Sequence, residues 1–243
     1  MRRLLLACLL AVFAVGCATG APPPEERHPA DPWEPFNRSV WTLNVVVDQA
    51  VIRPVAVGYD RITPSPVKRG VRNFFTNIRS PIVILNLVLQ GRGEDARVET
   101  VRFVTNTLFG LAGIFDVASL NELEKFDADF GLTLAEWGWE DSRFLMLPFL
   151  GPSTVRDGLG RGVDAVPNIE WRLAGDGSYY MLGVNLIQTR AGLLPLDEQI
   201  REAFDPYSFM RDGWLQRRTY LIHGDEAPLP DYEAMLDLDE EDW

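Results

Sequence analysis

The segment from Pro66 to Gly91 reads PVKRGVRNFFTNIRSPIVILNLVLQG, and it decides how the rest of the chain is interpreted. In its first half the apolar residues fall within about 100° of one helix face. These residues are Val67, Val71, Phe74, Phe75 and Ile78. The adjoining face carries Lys68, Arg69, Arg72 and Arg79. This combination is typical of a helix lying in a membrane interface. A surface helix that packs its apolar stripe on a protein core has the same pattern.

The second half of the segment, from Pro81 to Gly91, is apolar all round apart from Asn86. A helix of that kind is buried either in protein or in lipid. Ten helical residues reach about 15 Å, roughly half of the hydrocarbon core of a bilayer. This stretch therefore enters one leaflet at most. Its candidate lipid contacts are Ile82, Leu85 and Leu89.

The N-terminal residues read as an export signal. Residues 1–16 place two arginines before an apolar run that is too short for a membrane span. The sequence Ala14-Val15-Gly16-Cys17 resembles a lipobox, in which small residues precede a cysteine that is lipidated and becomes the mature N-terminus. An ordinary cleaved signal with an incidental cysteine is the alternative. The only other cysteine, Cys8, would leave with the signal, so acylation of Cys17 would leave no free thiol.

Two further segments flank the body of the chain. Residues 17–30 contain Pro22–Pro24 and no apolar pattern, which predicts an extended tether. Ala18 stands where an Asp retains many lipoproteins at the inner membrane, and this predicts passage to the outer membrane. Residues 225–243 contain nine acidic and no basic residues, and we expect a disordered tail or one that binds a basic partner. One folded domain, residues 31–224, remains between them.

The charge of the chain narrows its partners. The formal net charge is -12, and removing the acidic tail leaves -3. An acidic chain without a recognition motif does not fit a nucleic-acid partner. Attraction to anionic lipid is weak overall, so any contact with a membrane must rest on acyl chains and apolar surface.

The remaining body is predicted as helices broken by Pro and Gly. Apolar periodicity predicts helices over residues 36–47, 94–109, 180–194 and 206–222. Pro54 is expected to end the first helical region. Residues 126–162 are expected to be irregular or to form short helices, and no β-hairpin signal is visible. In the last helix, cations toward the C-terminal half suit the helix dipole. They are Arg211, Arg217 and Arg218.

Residues for catalysis or metal binding do not come together in this sequence. The two histidines are His28, in the tether, and His223, at the end of the last predicted helix. Neither suits a Ser-His-Asp arrangement, and metal-binding spacings such as HExxH are absent. Gly158–Gly162 lack the lysine and the spacing of a phosphate loop, so we interpret these glycines as backbone punctuation. The sequence predicts a protein that is not an enzyme and that uses no cofactor or metal.

Five blocks resemble the MlaA (VacJ) family of outer-membrane lipoproteins, in the same order along residues 31–165. They begin near Asp31, Arg53, Pro66, Arg102 and Phe130, and weaker similarity follows over residues 189–222. The family-motif positions are Asp31, Pro32, Phe36, Asn37, Arg38, Arg53, Pro54, Asn86, Gly91, Gly151, Pro152, Ser153, Arg156 and Asp157. The chain departs from the family at Trp33, Pro35, Ser80 and 142–144, and these departures affect the fine shape of loops.

The resemblance implies an all-α, ring-like protein embedded in the periplasmic leaflet of the outer membrane. In this family the ring surrounds an amphipathic channel and associates with trimeric porins. Phospholipids misplaced in the outer leaflet pass through it to a soluble periplasmic carrier, which preserves lipid asymmetry. Two alternatives stay open. One is a porin-associated lipoprotein that braces the envelope without conducting lipid, and the other is a periplasmic lipid hydrolase.

The resemblance also turns two patterns into hypotheses about contact with lipid. The expected membrane-embedded side chains are Val67, Val71, Phe74, Phe75, Ile78, Ile82, Leu85 and Leu89. The expected contacts with phosphate head groups are Lys68, Arg69 and Arg72. Cys17 would then be one of two anchors, because its acyl chains would act together with the apolar helices.

Overall fold

The computed structural model describes residues 27–165 and 178–226, and it confirms the prediction of an all-α fold class. The helices are α1 (Glu34–Val47), α2 (Arg53–Ile62), α3 (Ser65–Leu89), α4 (Gly93–Leu108), α5 (Val117–Leu120), α6 (Phe130–Glu136), α7 (Val155–Ala165), α8 (Ser178–Gly192), α9 (Asp197–Glu202) and α10 (Pro206–His223). A π turn (Asp48–Ile52), two 3-10 turns (Leu194–Leu196 and Gly224–Glu226) and two strands, β1 (Phe144–Leu147) and β2 (Gly151–Thr154), complete the described elements. The predicted export signal, Cys17 and residues 227–243 of the acidic tail lie outside the described residues.

Helices α1 and α2 form one helical rod from Glu34 to Ile62, so Pro54 does not end the first region as predicted. In the π turn between them the Arg53 N–H bonds to the Asp48 carbonyl, five residues back instead of four. Pro54 follows in the first turn of α2. A proline is tolerated there because its missing N–H breaks no α-helical hydrogen bond. Within the described ranges, this rod is the one helix that is long and apolar enough, by length and composition alone, to cross a membrane. In the most apolar stretch of 18 residues in this rod, 11% of the residues are buried.

Helix α3 runs without a break through Pro81, although the sequence suggested separate stretches on either side of this proline. Pro81 removes one helical N–H and leaves the carbonyl of Asn77 without its usual partner. The helix continues because buried side chains on both sides of Pro81 pack against the same neighbour, α4. The side chains of Asn77 and Ser80 are also bonded there, to Thr107 at 2.9 Å and to Glu99 at 2.7 Å.

The irregular region predicted over residues 126–162 contains an antiparallel hairpin that sequence reasoning missed. Strands β1 and β2 pair Phe144 with Thr154 and Leu147 with Gly151. Its turn lacks an Asn-Gly signal and instead places Phe149 at φ 63°, in the left-handed region that such residues seldom adopt. The buried side chains of β1 explain the pairing, since Phe144 and Met146 are fully buried in an apolar core with Val40 and Tyr207.

The glycines near residue 160 lie inside helix α7, so their interpretation as backbone punctuation is wrong. They serve close packing instead. A Cβ on Gly160 would lie 2.4 Å from the backbone nitrogen of Gly131 in α6, and a Cβ on Gly131 would lie 2.3 Å from a carboxylate oxygen of Asp157. Helices α6 and α7 therefore cross where neither has a side chain.

The elements contact one another around a closed circuit. Starting from α1, the contacts pass through the π turn and α2 to α8, then to α3 and α6. They continue through α7 and β1 back to α1. Helix α4 packs against α3 of this circuit, and α10 packs against α6. There are two small apolar cores in the described residues, one around Phe144 and the other around Leu87.

The polarity of the fold is partly inverted relative to a soluble domain: many polar side chains are buried, and many large apolar side chains are exposed. Among the described residues, 17 polar or charged residues are buried against 15 apolar ones, while 33 large apolar side chains are exposed. Polar groups usually lie on the surface of a soluble domain, and large apolar side chains usually fill its core. The described part of the chain is therefore held together largely by buried polar contacts, and its outer surface is rich in hydrocarbon.

Candidate functional site

The motif at the start of the domain joins three elements through Asn37, a fully buried residue of α1. The Asn37 amide nitrogen donates to the Asp31 carboxylate at 2.7 Å and to the Phe144 carbonyl at 3.3 Å. Its amide oxygen accepts from the backbone N–H of Met146 at 2.8 Å. The Tyr207 hydroxyl donates to the other oxygen of Asp31 at 2.5 Å. Asn37 and Asp31 thus attach α1 to β1 and α10.

Two arginines neutralise the acids around this contact. Arg38 donates to Asp205 at 3.1 and 2.5 Å and to Glu34 at 2.7 Å, with its guanidinium 4.5 Å from the ring centroid of Tyr207. Arg211, which is buried, lies 3.6 Å from Glu34. Burial and the bond to the Asp31 carboxylate raise the pKa of Tyr207, so the hydroxyl stays a donor. This set is termed the N-terminal cluster: Asp31, Glu34, Asn37, Arg38, Asp205, Tyr207 and Arg211.

The N-terminal cluster makes stability depend on pH through Asp205. Hydrogen bonds from Arg38 outweigh burial and, with those from Ser208 and the Tyr207 N–H, lower the pKa of Asp205 from 3.8 to about 2. A depressed folded-state pKa gives stability that is complete above about pH 4 and is lost as the pH falls toward 2. We expect Asp205→Asn to lower the free energy of unfolding by about 1 kcal/mol near pH 7, after allowance for solvent screening, and to have little effect near pH 2.

Urea titrations of the full chain at both pH values measure this difference. The matched control is Asp95→Asn, which removes a carboxylate paired with Arg92 at 2.7 Å at the start of α4, away from the cluster. An equal loss of pH dependence in the two variants would contradict the role given to Asp205.

A second cluster lies where α6, α7 and α10 meet. Arg218 is buried and donates to Asp129 at 2.7 and 3.1 Å and to Asp157 at 2.7 Å. Asp129 also caps the N-terminus of α6, and Asp157 accepts from the Thr154 hydroxyl at 2.8 Å. Burial would raise the pKa of Asp129, but its bonds to Arg218 outweigh burial and lower it. Arg218 therefore holds two carboxylates, and the helix dipole is not the main reason for its position. This set, Asp129, Arg156, Asp157 and Arg218, is termed the central cluster.

Asn86 attaches the apolar half of α3 to its neighbours. Its amide nitrogen donates to Asp164 of α7 at 3.0 Å, and its oxygen accepts from the Thr133 hydroxyl of α6 at 2.8 Å. Gln90 donates to the same hydroxyl at 3.0 Å. Gly91 follows at φ 74°, a left-handed conformation that suits glycine and ends the helix. Asn86 thus fixes the position of α3, and Gly91 fixes its end. The contacts of both in the described residues are structural.

The predicted lipid-contact residues of α3 divide into three groups. Val67, Leu85 and Leu89 are exposed. Val71, Phe74 and Ile78 are half-buried. Phe75 and Ile82 are buried in the protein at 6% and 7% exposure, so the expectation that they contact lipid needs correction. Other parts of the protein cover both side chains, so they offer almost no surface to lipid.

The predicted head-group cations border a cavity of about 540 Å³ between α2, α3 and α8. Lys68 pairs with Asp60 at 2.5 Å, whereas Arg69 and Arg72 are exposed and have no ion pair within the described part of the chain. Tyr59 also lines this cavity, and its buried hydroxyl has no hydrogen-bond partner in the described residues. This space is termed the cationic cavity. Its free charge comes from Arg69 and Arg72.

A second cavity, of about 620 Å³, lies among the π turn, α8 and α9. Of the residues that line it, sequence reasoning had identified Arg53, as a family-motif position. One part of its wall is apolar, with Trp41, Val45, Ile200 and Pro206. The other part is charged, with Asp48, Arg53, Arg190, Asp197 and Arg201. This space is termed the amphipathic cavity. The charges on α8 and α9 were missed because their partners are far away in the sequence.

Comparison with known proteins agrees with this geometry. The family model described as MlaA lipoprotein matches residues 29–221. The chain is 35% identical to the "Intermembrane phospholipid transport system lipoprotein MlaA" of Shigella flexneri over 92% of this chain and 90% of that protein. It is 34% identical to the protein of the same name from Escherichia coli (strain K12), with the same coverage.

A solved structure is similar as well. It is described as "Structural basis for maintenance of bacterial outer membrane lipid asymmetry", and it superposes with a TM-score of 0.70 at 34% identity. The match covers 79% of this chain and 98% of the other. Sequence and structure agree over the same helical domain, and the chain belongs to the MlaA lipoprotein family.

Proposed function

We propose that this chain is an outer-membrane lipoprotein that removes phospholipids from the outer leaflet and passes them through an amphipathic channel to a soluble periplasmic carrier. In doing so it would maintain the lipid asymmetry of the outer membrane. The names of its relatives support transport of phospholipid between membranes. The partly inverted polarity of the fold is the observation that carries the proposal for this chain.

Inverted polarity suits a protein whose body lies in a leaflet. Buried ionisable residues are costly in a protein surrounded by hydrocarbon, and they are found paired and facing inward. The N-terminal and central clusters have paired charges of this kind, on side chains that are buried or mostly buried. The exposed apolar side chains then contact acyl chains instead of water. Exposed residues of the α1–α2 rod, such as Val46, Val51 and Ile62, extend the predicted lipid contacts beyond α3.

Moving a phospholipid also requires a path with two kinds of surface. Exposing about thirty CH₂ groups to water costs on the order of 0.8 kcal/mol for each, so the acyl chains need continuous apolar contact. The head group needs polar partners along the same route. Both cavities offer this combination, and both lie along the closed circuit of elements. We therefore propose that the circuit is a ring around a channel.

Two anchors would hold the ring in place. Acyl chains tie a protein to a membrane, and apolar side chains buried in the leaflet add to the strength of binding. Lipidated Cys17 would supply the first, and exposed apolar side chains including Val67, Leu85 and Leu89 would supply the second. Retention in the periplasmic leaflet and association with a trimeric porin belong to the same proposal.

A bacterial strain that lacks its own MlaA-family lipoprotein tests the proposed function. We expect the strain to expose more phospholipid at its surface, measured with an externally added phospholipase, and expect this chain to restore the normal level. Cys17→Ala serves as the variant without its lipid anchor, and we expect it to restore less. Full-length protein that is exported normally but leaves surface phospholipid unchanged would contradict lipid removal.

The same strain tests the head-group hypothesis. We expect the double variant Arg69→Gln/Arg72→Gln to lose at least half of this restoring activity, because the free charge of the cationic cavity would be gone. The matched control is Arg97→Gln/Arg217→Gln, which removes the same charge at two exposed arginines elsewhere. Lys68→Gln should have a smaller effect, because Lys68 is paired with Asp60. Equal activity of the double variant and the control would exclude Arg69 and Arg72 as head-group contacts.

A brace that stabilises porins without conducting lipid is the second candidate. The two cavities favour conduction, since a brace needs no internal space beside paired charges. The candidates differ in one outcome. The variant Arg69→Gln/Arg72→Gln separates them. If the protein is a brace, this variant should alter porin assembly and leave surface phospholipid unchanged. If it removes lipid, the variant should raise surface phospholipid and leave porin assembly unchanged.

A further inference from the structure

The cationic and amphipathic cavities adjoin each other along the pair of helices α2 and α8. Helix α2 begins at the amphipathic cavity with Arg53 and reaches the cationic cavity with Tyr59. These residues are six apart, which is about 9 Å along a helix. At the end of α8, Arg190 lines the amphipathic cavity, while its neighbours Thr189 and Ala191 line the cationic one. The last turn of α8 therefore stands between the two spaces.

Ion pairs hold this turn in position. Arg190 donates to both carboxylate oxygens of Asp48, in the π turn, at 2.8 and 2.9 Å. It also donates to Asp197 of α9 at 2.7 Å, and Asp197 accepts from Arg53 at 2.7 Å. Two arginines and two aspartates thus form a chain of pairs that joins the rod, α8 and α9. The hydrogen bonds that Arg190 donates to the Asp48 carboxylate raise the pKa of Arg190, which agrees with a tightly held guanidinium.

The size of the cavities makes this turn a barrier. Volumes of about 620 and 540 Å³ are those of pockets for drug-sized ligands, and a two-chain phospholipid exceeds either one. A lipid that passes from one space to the other must cross the last turn of α8. The turn that carries Arg190 has to move before it can do so.

We infer that Arg190 is the positioning residue that separates the two cavities, and that the phosphate of a phospholipid opens the passage by taking the place of the carboxylates on its guanidinium. This inference rests on the proposed function and adds the residue that controls passage. Arginine binds carboxylate and phosphate with the same two parallel N–H donors, so the exchange costs little. Arg201, which lines the same cavity and has no ion pair in the described residues, offers the incoming phosphate a first contact.

Trp41 provides a direct probe of lipid entry, because it lines the amphipathic cavity. The full-length lipidated chain is placed on vesicles of phosphatidylethanolamine and phosphatidylglycerol, and phosphatidylglycerol with brominated acyl chains is added. Bromine quenches tryptophan fluorescence on contact. Subtracting the signal of Trp41→Phe isolates the quenching of Trp41 from that of the other tryptophans.

We expect Arg190→Gln to raise the rate of Trp41 quenching by at least about threefold, which is the effect of losing a half-buried ion pair. Asp48→Asn should act in the same direction and more weakly, since the pair with Asp197 remains. Added salt should speed quenching in the wild type but not in Arg190→Gln. Arg201→Gln removes the same charge from the same cavity without releasing α8, and it should slow quenching because the first contact of the phosphate is lost.

Three results overturn parts of this picture separately. Equal rates in the wild type, Arg190→Gln and Asp48→Asn would exclude the barrier while leaving lipid entry intact. Equal slowing by Arg190→Gln and Arg201→Gln would make Arg190 a simple phosphate contact. If brominated lipid reaches Trp41 in none of the folded variants, this cavity is not part of a lipid path, and the proposed function fails at this site. Circular dichroism confirms that each variant is folded.

Discussion

Replacing Arg218 with Gln is expected to lower the free energy of unfolding by about 3–5 kcal/mol, the usual cost of removing one partner from a buried charge cluster. Arg218 is 7% exposed and is the cation that binds both Asp129 and Asp157. Without it, Asp157 keeps only Arg156, at 3.2 Å, and Asp129 loses its hydrogen-bonded cation, so a largely buried carboxylate is left without compensation. The helices α6, α7 and α10 would separate at the same point.

Arg217, next to Arg218 in the sequence, provides the control for this experiment. Arg217 is 62% exposed and pairs with Asp127 at 2.8 Å, and exposed pairs contribute about 0–1 kcal/mol. Arg217→Gln makes the same chemical change one position earlier on the same helix. Thermal and urea unfolding of the full chain in detergent measures both variants. Similar losses in the two would show that burial does not determine the effect.

Replacing Gly160 with Ala is expected to cost about 1–3 kcal/mol, because the added methyl has no space. A Cβ at this position meets the backbone of Gly131 at 2.4 Å, and backbone atoms cannot turn aside as a flexible side chain does. Helices α6 and α7 would have to move apart. That movement would also lengthen the bonds that Asp157 makes in the central cluster.

Gly162 tests the explanation on the same helix. A Cβ there meets nothing within 4 Å, and alanine is favoured over glycine in a helix by up to about 1 kcal/mol. We therefore expect Gly162→Ala to be neutral or stabilising, so the two alanine variants should differ in sign. Unfolding by urea measures both, and loss of stability in Gly162→Ala would point to a general intolerance of alanine in α7.

Local patterns predicted several elements correctly. The predicted helices over residues 94–109, 180–194 and 206–222 are confirmed as α4, α8 and α10, with ends shifted by no more than about two residues. Each has its signal in neighbouring residues, as with the Asp205 cap and Pro206 that begin α10. The hairpin was not predictable in this way. Its turn places Phe149 at a left-handed φ before Gly151, and burial of Phe144 and Met146 by distant residues stabilises it.

The family motifs were recognised from the sequence, but their physical role was not. Asp31 and Asn37 depend on Tyr207 and on strand β1, more than a hundred residues away. Asp157 depends on Arg218, 61 residues away. A single sequence contains no record of such contacts, because side chains from distant segments meet only when the helices pack. Arg190 was missed for the same reason.

The stretch from Pro66 to Gly91 shows most clearly which properties follow from local sequence and which from tertiary packing. Its sequence determined that a helix forms and that its surface is divided into apolar and basic faces, because both properties depend on neighbours three and four residues apart. Only the tertiary structure decided which apolar residues are available to lipid. Packing within the protein buries Phe75 and Ile82, while Val67 and Leu85 stay exposed on the same helix. A contact with α2 pairs Lys68 with Asp60, whereas Arg69 and Arg72 have no ion pair among the described residues and are available to a phosphate. Periodicity identifies a face, but the neighbour that covers it comes from elsewhere in the chain.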